Sequence, residues 1–448
     1  MVNFKLKNIG LIENSNISLN DITLICGQNN TGKTYITYSI YGFLAMWREL
    51  IDFNIPKSFF EELDENGFIS IDILSYKDDI KNILKDLSKT YTKNLSNVFS
   101  VDDDWFTNSE FEINIDDFQI HLEDGLDSTL SSSKKDILQI KKSKENQFLE
   151  ISILDVKNNK KIPHFILEKG INSALGEIYF NKYFKNPFII TSERTGISLF
   201  YKELDINKNV IIENMIKSKG KNIDPFKIFE DTVSRYAIPV KHNIDYTRDL
   251  GENIGKKKSF LYGDREISKY FTKILQGSYK IVNKEVYFVT KKNKKQIPMY
   301  FSSSATKSLM ELYFYVRHSA KHGDLLIIDE PELTLHPDNH IIITRLLAHL
   351  ANKGIYIFIT THSDYIIKEY NNLIRLNHNI TGKDKIMKKY DYKSHDILDY
   401  KKISAYINNY GDLQKVELTD MGMEIETFDN TLNRLSNAMD DIFFNIEE

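Results

Sequence analysis

Residues 27–34 read Gly27-Gln28-Asn29-Asn30-Thr31-Gly32-Lys33-Thr34. The spacing is G-x-x-x-x-G-K-[ST], the pattern of a phosphate-binding loop. Each residue type has a physical reason to be there. Gly27 and Gly32 permit a tight turn and let backbone N–H groups approach phosphate oxygens. Asn29, Asn30 and Thr31 carry the intervening N–H groups. Asn30 stands where glycine is common, and asparagine tolerates left-handed dihedrals. Lys33 can reach β- and γ-phosphates, and the Thr34 hydroxyl can hold Mg²⁺. A helix after the loop aims its positive end at the same place.

The flanks agree with this reading. Phe4 to Ile9, Asn16 to Leu19 and Ile22 to Cys26 read as short strands, parted by Gly10, Glu13-Asn14 and Asn20-Asp21. Tyr35 to about Leu50 reads as a helix. Far downstream, Leu325-Leu326-Ile327-Ile328-Asp329-Glu330 is an aliphatic strand that ends in two acids. Ligands bind beyond the carboxyl ends of such strands. Asp329 there can hold a Mg²⁺ shell, and Glu330 can orient and deprotonate an attacking water. Ile357-Phe358-Ile359-Thr360-Thr361-His362-Ser363 then puts a histidine just past another strand. Between Glu330 and His362 lie 362 − 330 = 32 positions, room for one helix and one strand, so His362 can return to the same edge and touch a γ-phosphate. Thr306 to Lys321 reads as a helix, with Leu309, Leu312, Tyr313 and Val316 on one face, and Asn339 to Lys353 as another. Strands alternating with helices predict an α/β fold with a mostly parallel sheet.

Together these motifs resemble ABC-type ATPases of the SMC/RecF/OLD-like branch. The loop has that branch's G-x-N-x-x-G-K-[ST] form, and the Walker B run continues as Asp329-Glu330-Pro331-Glu332-Leu333-Thr334-Leu335-His336-Pro337. This D-E-P-E-x-x-L-H-P string is similar to that of OLD-like defence ATPases and differs from most transporter subunits. Thr361-His362-Ser363 resembles the switch-histidine motif. The family's signature motif falls at Phe301-Ser302-Ser303-Ser304-Ala305-Thr306-Lys307-Ser308, with Ala305 where many relatives carry glycine. The resemblance implies an ATPase head with an antiparallel β subdomain and a largely helical insertion. It implies ATP and Mg²⁺ as cofactors, and ATP sandwiched in a head-to-tail homodimer or higher homo-oligomer. Ser303, Ser304 and Lys307 would then reach ATP bound by the other subunit. The same serines also suit a helix N-cap. Arg194, in Ser192-Glu193-Arg194-Thr195, is a candidate phosphate or interface contact, with a structural ion pair as the alternative.

The resemblance is strong over 1–45 and 275–370 and loose between them. It divides the chain into a first head segment (1–50), an insertion or arm (51–274) with a head strand near 186–194, a second head segment (275–375) and a C-terminal subdomain (376–448) offering an oligomer or partner contact. Within the insertion, Asp79 to Leu95 reads as helix. Phe111 to Leu122, Leu149 to Leu154 and Pro163 to Leu167 read as strands, and polar Ser128 to Asn146 as an exposed loop or arm. Residues 205–250 read as mainly helical. No long heptad run or zinc-hook cysteine pair is present. Only 448 − 362 = 86 residues follow the histidine, and they lack the clustered carboxylates of a fused TOPRIM nuclease. The expectation is a standalone ATPase similar to the Septu or PARIS subunits of antiphage defence, gating a separately encoded effector nuclease. A RecF-like DNA repair ATPase and a transporter's cytosolic ATPase subunit are the alternatives.

Composition sets the outer bounds. The 448 residues are 41% hydrophobic and 27% charged, which excludes fibrous and wholly disordered chains. With 59 basic and 63 acidic residues, any nucleic-acid surface must be local. The richest stretch is Lys256 to Lys295, with twelve Lys/Arg against three Asp/Glu. With Tyr262, Tyr279 and Tyr287 it could track a DNA or RNA backbone. The lone Cys26 allows no internal disulfide and suits a reducing cytosol. No signal-peptide core opens the chain, and the apolar run Ile40 to Trp47 is too short for a membrane span, so the expected location is cytoplasmic. Near the C-terminus Phe428, Leu432, Leu435, Met439 and Ile442 fall on one helical seam, fit for its own domain or a partner.

Overall fold

Leu325–Asp329 is buried along its whole length, and its side chains alternate between two cores. Leu325 and Ile327 join Ile25 and Phe358 on one side, while Leu326 and Ile328 join Leu24, Ile357 and Ile359 on the other. A strand apolar on both faces needs cover on both. Helix Lys33–Leu50 covers the first face, its Phe43 and Trp47 packed edge-on against Phe184. Helices Pro337–Asn352 and Asp364–Arg375 cover the second through Leu346, Leu350, Ile366 and Tyr370.

The computed structural model describes residues 1–132, 135–154, 162–204 and 236–444. Among them, nine strands form the main sheet, in the order Glu110–Ile115, Val2–Ile9, Ile12–Ser18, Asp412–Lys415, Ile403–Asn409, Ile22–Gly27, Tyr356–Thr361, Leu325–Asp329 and Pro187–Ile190. From Ile403–Asn409 to Pro187–Ile190 every pairing is parallel. The opposite wing is antiparallel apart from a single bridge, Asp412 to Asn14. The α/β fold with its parallel sheet is therefore the one the sequence implies.

Several local readings change. Ser128 to Asn146, expected as a loop, is largely two strands, Leu126–Ser132 and Lys135–Lys142, in an antiparallel sheet with Phe148–Ile153 and Phe68–Asp72. Leu138 and Ile140 point inward at period two, and the serine and lysine around them disguise the alternation. Lys142 is buried with them, its ammonium donating to the carbonyls of Leu122, Asp124 and Ser143. Pro163 to Leu167, expected as a strand, starts helix His164–Phe180, where the proline precedes the first turn. The helix expected over 306–321 winds as Ser304–Ser308, Met310–Phe314 and a π-helical turn, Tyr315–Ser319. Of the helical reading over 205–250, residues 205–235 lie outside the described residues, and Ile238–Asp249 is helical.

The C-terminal stretch enters the head itself. Ile403–Asn409 lies parallel to Ile22–Gly27, and Asp412–Lys415 turns back beside it. In the last helix, Glu426–Phe444, Met439 and Ile442 are exposed. The side chains of Phe428, Leu432 and Leu435 lie outside those described. Among the described residues no helix is long and apolar enough to cross a membrane.

Candidate functional site

Ile22–Gly27 ends at the sheet's carboxyl edge, and the loop turns there into helix Lys33–Leu50. Glycine is required at both ends of the turn. A Cβ on Gly27 would meet the Asn408 carbonyl at 2.8 Å, and Gly32 sits at φ 101° with its Cβ position 2.7 Å from Ile12. Asn30 takes the left-handed region at φ 60°. Lys33 is buried and donates to the carbonyls of Gly27 (3.0 Å) and Gln28 (2.7 Å). Burial lowers the Lys33 ammonium's pKa, opposed by Glu330, Asp329 and Glu332. Thr31 also closes the turn, its hydroxyl donating to the Gln28 carbonyl at 2.9 Å.

The neighbouring parallel strands deliver the acids. Thr34 donates to Asp329 Oδ2 at 3.1 Å, joining residues 295 positions apart. Thr360 donates to the other Asp329 oxygen and, through the same Oγ1, accepts the Glu330 N–H at 3.1 Å. Burial pushes the Asp329 carboxyl above its usual range. Glu330 takes a left-handed φ of 53°, at the point where the chain leaves the strand. His362 Nδ1 lies 3.5 Å from Glu330 Oε1 and 3.4 Å from Glu332 Oε1. The hydrogen bond from His362 holds the Glu330 carboxyl below its ordinary value, and the same bond raises His362. Glu332 in turn accepts from Thr361 Oγ1 (2.6 Å) and His362 N–H (2.9 Å), which fixes the histidine's backbone. Lys33, Thr34, Asp329, Glu330 and His362 thus meet at one edge.

Arg194 is placed differently from the sequence reading. It is 2% exposed and contacts backbone and a neighbouring serine. Its guanidinium donates to the carbonyls of Thr191 (3.0 Å), Asp329 (2.8 Å) and Glu330 (2.5 Å) and to Ser308 Oγ (2.8 Å). The candidate phosphate or interface contact is instead a buried clamp on the Walker B backbone. A residue followed by helix and preceded by a buried strand is pulled under the sheet edge, which charge alone does not reveal.

Ser303 caps helix Ser304–Ser308, its hydroxyl accepting from Thr306 N at 3.2 Å. Ser303 and Ser304 are exposed and Lys307 partly so. Among the described residues, no hydrogen bond links these three to residues 27–34 of the same chain. Ser308 donates to Leu333 O at 3.2 Å, so Arg194 and Ser308 together tie this helix to the Walker B turn.

Sequence reasoning missed Asn408. From the C-terminal strand it donates to Thr31 O at 2.9 Å and accepts from Gly411 N at 3.1 Å, bracing the phosphate loop from behind. No motif marks it; the signal is only an apolar run, Ile403 to Ile407, ending in Asn-Asn. Glu311 was missed too. It is buried, accepts from Thr247 at 3.2 Å, and burial lifts its carboxyl to about 8.

The basic stretch splits in two. Lys291, Lys292, Lys294 and Lys295 are exposed at one end of the hairpin Gly277–Val282/Glu285–Thr290. Gly255, beside Lys256, packs on Ile281 at its other end, roughly 15 Å away at 3.3 Å per residue. Tyr279 is buried and closed to stacking on a base.

Solved structures that align with the chain include three SMC heads. An SMC head bound to the C-terminal winged-helix domain of ScpA is 11% identical, with TM-score 0.35, covering 93% of this chain and 97% of that one. The SMC head domain from Thermotoga maritima is 10% identical, with TM-score 0.29 over 93% and 98%. The Smc head domain with an extended coiled coil, bound to the C-terminal domain of ScpA derived from Pyrococcus furiosus, is 12% identical, with TM-score 0.32 over 99% and 100%. Likenesses this loose add nothing to the architecture described above. No curated protein matches the sequence. The profile of the AAA ATPase domain matches residues 1–367, which take in the phosphate loop, Asp329-Glu330 and His362. This chain belongs to the AAA ATPase domain family, and it is an ATP-binding ATPase.

Proposed function

We propose that this ATPase closes into a head-to-tail dimer around ATP, with Mg²⁺, and that hydrolysis reopens it to gate a separately encoded effector nuclease in antiphage defence. The observation that carries the ATP-dependent part is the meeting of Thr34, Asp329, Glu330 and His362 at one sheet edge. Two oxygen donors 3.1 Å apart suit Mg²⁺, whose octahedral edge is about 2.9 Å. Thr34 and Asp329 would hold the ion, which when bound neutralises charge on the phosphates. Gly27, Asn29, Asn30, Thr31 and Gly32 present N–H groups to the phosphates, and Lys33 turns its ammonium from loop carbonyls to phosphate oxygens. Glu330 takes a proton from the water attacking the γ-phosphorus as the bond to the ADP oxygen breaks. His362 holds Glu330 in place and contacts the γ-phosphate. Ser303, Ser304 and Lys307 of the opposing subunit complete the site.

The D-E-P-E-x-x-L-H-P string supports the defence reading. The exposed lysine loop at 291–295 favours a second reading, a RecF-like ATPase that binds DNA structure. Glu330→Gln separates these. It should cut turnover by roughly 10²–10⁴-fold while retaining ATP. Wild-type turnover in this variant would remove Glu330 as the base. Tagged Glu330→Gln, recovered with ATP from its host, should bring down a nuclease encoded beside it, with Lys33→Ala as the control that does not. Recovery of DNA and repair proteins alone supports the RecF-like reading, and a permease overturns both.

A further inference from the structure

The phosphate edge lies at one end of helix Pro337–Asn352. Twelve residues along it, about 18 Å away, is a cluster that nucleotide chemistry does not use. His349 on this helix faces His395 and Asp396 in the turn Ser394–Asp396. The two imidazole rings cross at 65° with centroids 4.4 Å apart. His349 is 2% exposed and Asp396 fully buried. One nitrogen of each histidine and one Asp396 carboxylate oxygen lie within 4.8 Å of one another. The inner atoms of the trio are His349 Nδ1, His395 Nε2 and Asp396 Oδ1, since His349 Nε2 faces Asp264 and Asp396 Oδ2 faces Tyr270. Among the described residues, all three lack a hydrogen-bond partner. His395 Nε2 and Asp396 Oδ1 are 3.3 Å apart without hydrogen-bond geometry. Buried polar atoms are rarely left bare, and three bare atoms facing one another call for an explanation.

The outer atoms of the same residues are held. Asp264 Oδ2 faces His349 Nε2 at 3.5 Å, and Asp264 is itself fixed as the cap of helix Arg265–Leu275 and by Lys353 at 3.2 Å. Tyr270 donates its hydroxyl to Asp396 Oδ2. Asn352 donates to the carbonyls of His395 (2.9 Å) and Ile397 (3.0 Å), pinning the turn. A carboxylate behind a histidine, leaving the opposite ring nitrogen as a lone pair, is the support that metal-binding histidines receive.

We propose that His349 Nδ1, His395 Nε2 and Asp396 Oδ1 bind Zn²⁺, clipping the turn Ser394–Asp396 to helix Pro337–Asn352. Two imidazoles and one carboxylate suit zinc, whereas Mg²⁺ and Ca²⁺ favour all-oxygen shells. Donors on a tetrahedral zinc stand about 3.4 Å apart, so the His395–Asp396 pair is in place and the rest close by ~1.4 Å at most. His395 is the partly exposed member, and a water on its side completes the shell. The clip is structural. Strand Ile403–Asn409 starts seven residues past Asp396 and carries Asn408 to the phosphate loop. Zinc therefore fixes the entry of the strand that braces the loop.

The test uses untagged full-length protein without nucleotide, stripped with a chelator and given Zn²⁺ alone. Elemental analysis after desalting should find about one zinc per chain, and Tm should rise by several degrees. His395→Ala alters a turn residue and spares the packed His349; it and Asp396→Asn should lose the zinc and the shift. His362→Ala should keep both, which separates this site from the nucleotide edge. Mg²⁺ at the same concentration should leave Tm unmoved. Zinc retained equally by His395→Ala and wild type, or no Tm response in wild type, overturns the proposal.

Discussion

Glu311 is a carboxyl enclosed in the protein, with Thr247 donating to it and the guanidinium of Arg194 and the phenol of Tyr246 as its charged or titratable neighbours. Burial lifts its pKa to about 8, above the 4.5 of an ordinary glutamate. Between those values the folded chain binds a proton that the unfolded chain has lost, so stability falls as pH rises through that window and levels off above it. Glu311→Gln mimics the protonated form. It should match wild type near pH 5 and exceed it by a few kcal/mol at pH 9, read from urea denaturation at each pH. Parallel curves for the two proteins would show that Glu311 is ionised in the fold. The sequence could not single out this residue. It sits in an amphipathic stretch where an acid ordinarily points to water, and only the packing under Arg194 buries it. That Lys33 and Thr34 meet Asp329 and Glu330 was legible because a G-x-x-x-x-G-K-[ST] loop after one strand and two acids ending another fall at the same sheet edge.

Among elements, the strand Leu325–Asp329 with its following turn and the helix Ser304–Ser308 are joined through Arg194 and Ser308. Arg194 binds the carbonyls of Asp329 and Glu330 and the hydroxyl of Ser308, which itself reaches Leu333. Arg194→Met keeps much of the volume and removes every donor. It should cost roughly 3 kcal/mol or more, because buried acceptors lose charged partners. It should also reduce ATP turnover more than ATP binding, since Lys33 and the loop are untouched. Denaturation and nucleotide titration measure the two effects. Stability within about 1 kcal/mol of wild type, with full turnover, would show that the clamp is dispensable. The elements visible in sequence were those with unbroken apolar runs, such as Leu325–Asp329 and Tyr356–Thr361. Leu126–Ser132 and Lys135–Lys142 were hidden because one face is solvated and rich in serine and lysine, so the inward Leu138 and Ile140 were too sparse to stand out. The strand Ile403–Asn409 was not read from the sequence, and its place beside Ile22–Gly27 follows from a long-range parallel pairing that no local pattern encodes.

For the whole molecule, Ser303 and Ser304 are exposed on a short helix with no hydrogen bond, among the described residues, to their own phosphate loop. If each instead completes the site of a second copy, damage to the two motifs should complement across subunits. The variant with both Ser303→Ala and Ser304→Ala keeps Lys33, and Lys33→Ala keeps the serines. Each homodimer then contains two broken sites. Random mixing makes half the dimers mixed, and each mixed dimer regains one intact site, so turnover should recover to about a quarter of wild type. Because Ser303 caps its helix, the serine variant should lose about 1 kcal/mol of stability, and its folding is checked by Tm before mixing. A mixture no more active than its components would place the serines outside the site, as would wild-type turnover by the serine variant alone. Recovery at the expected fraction requires that one chain's Lys33 and another chain's serines act on the same ATP, because no single subunit in the mixture carries both.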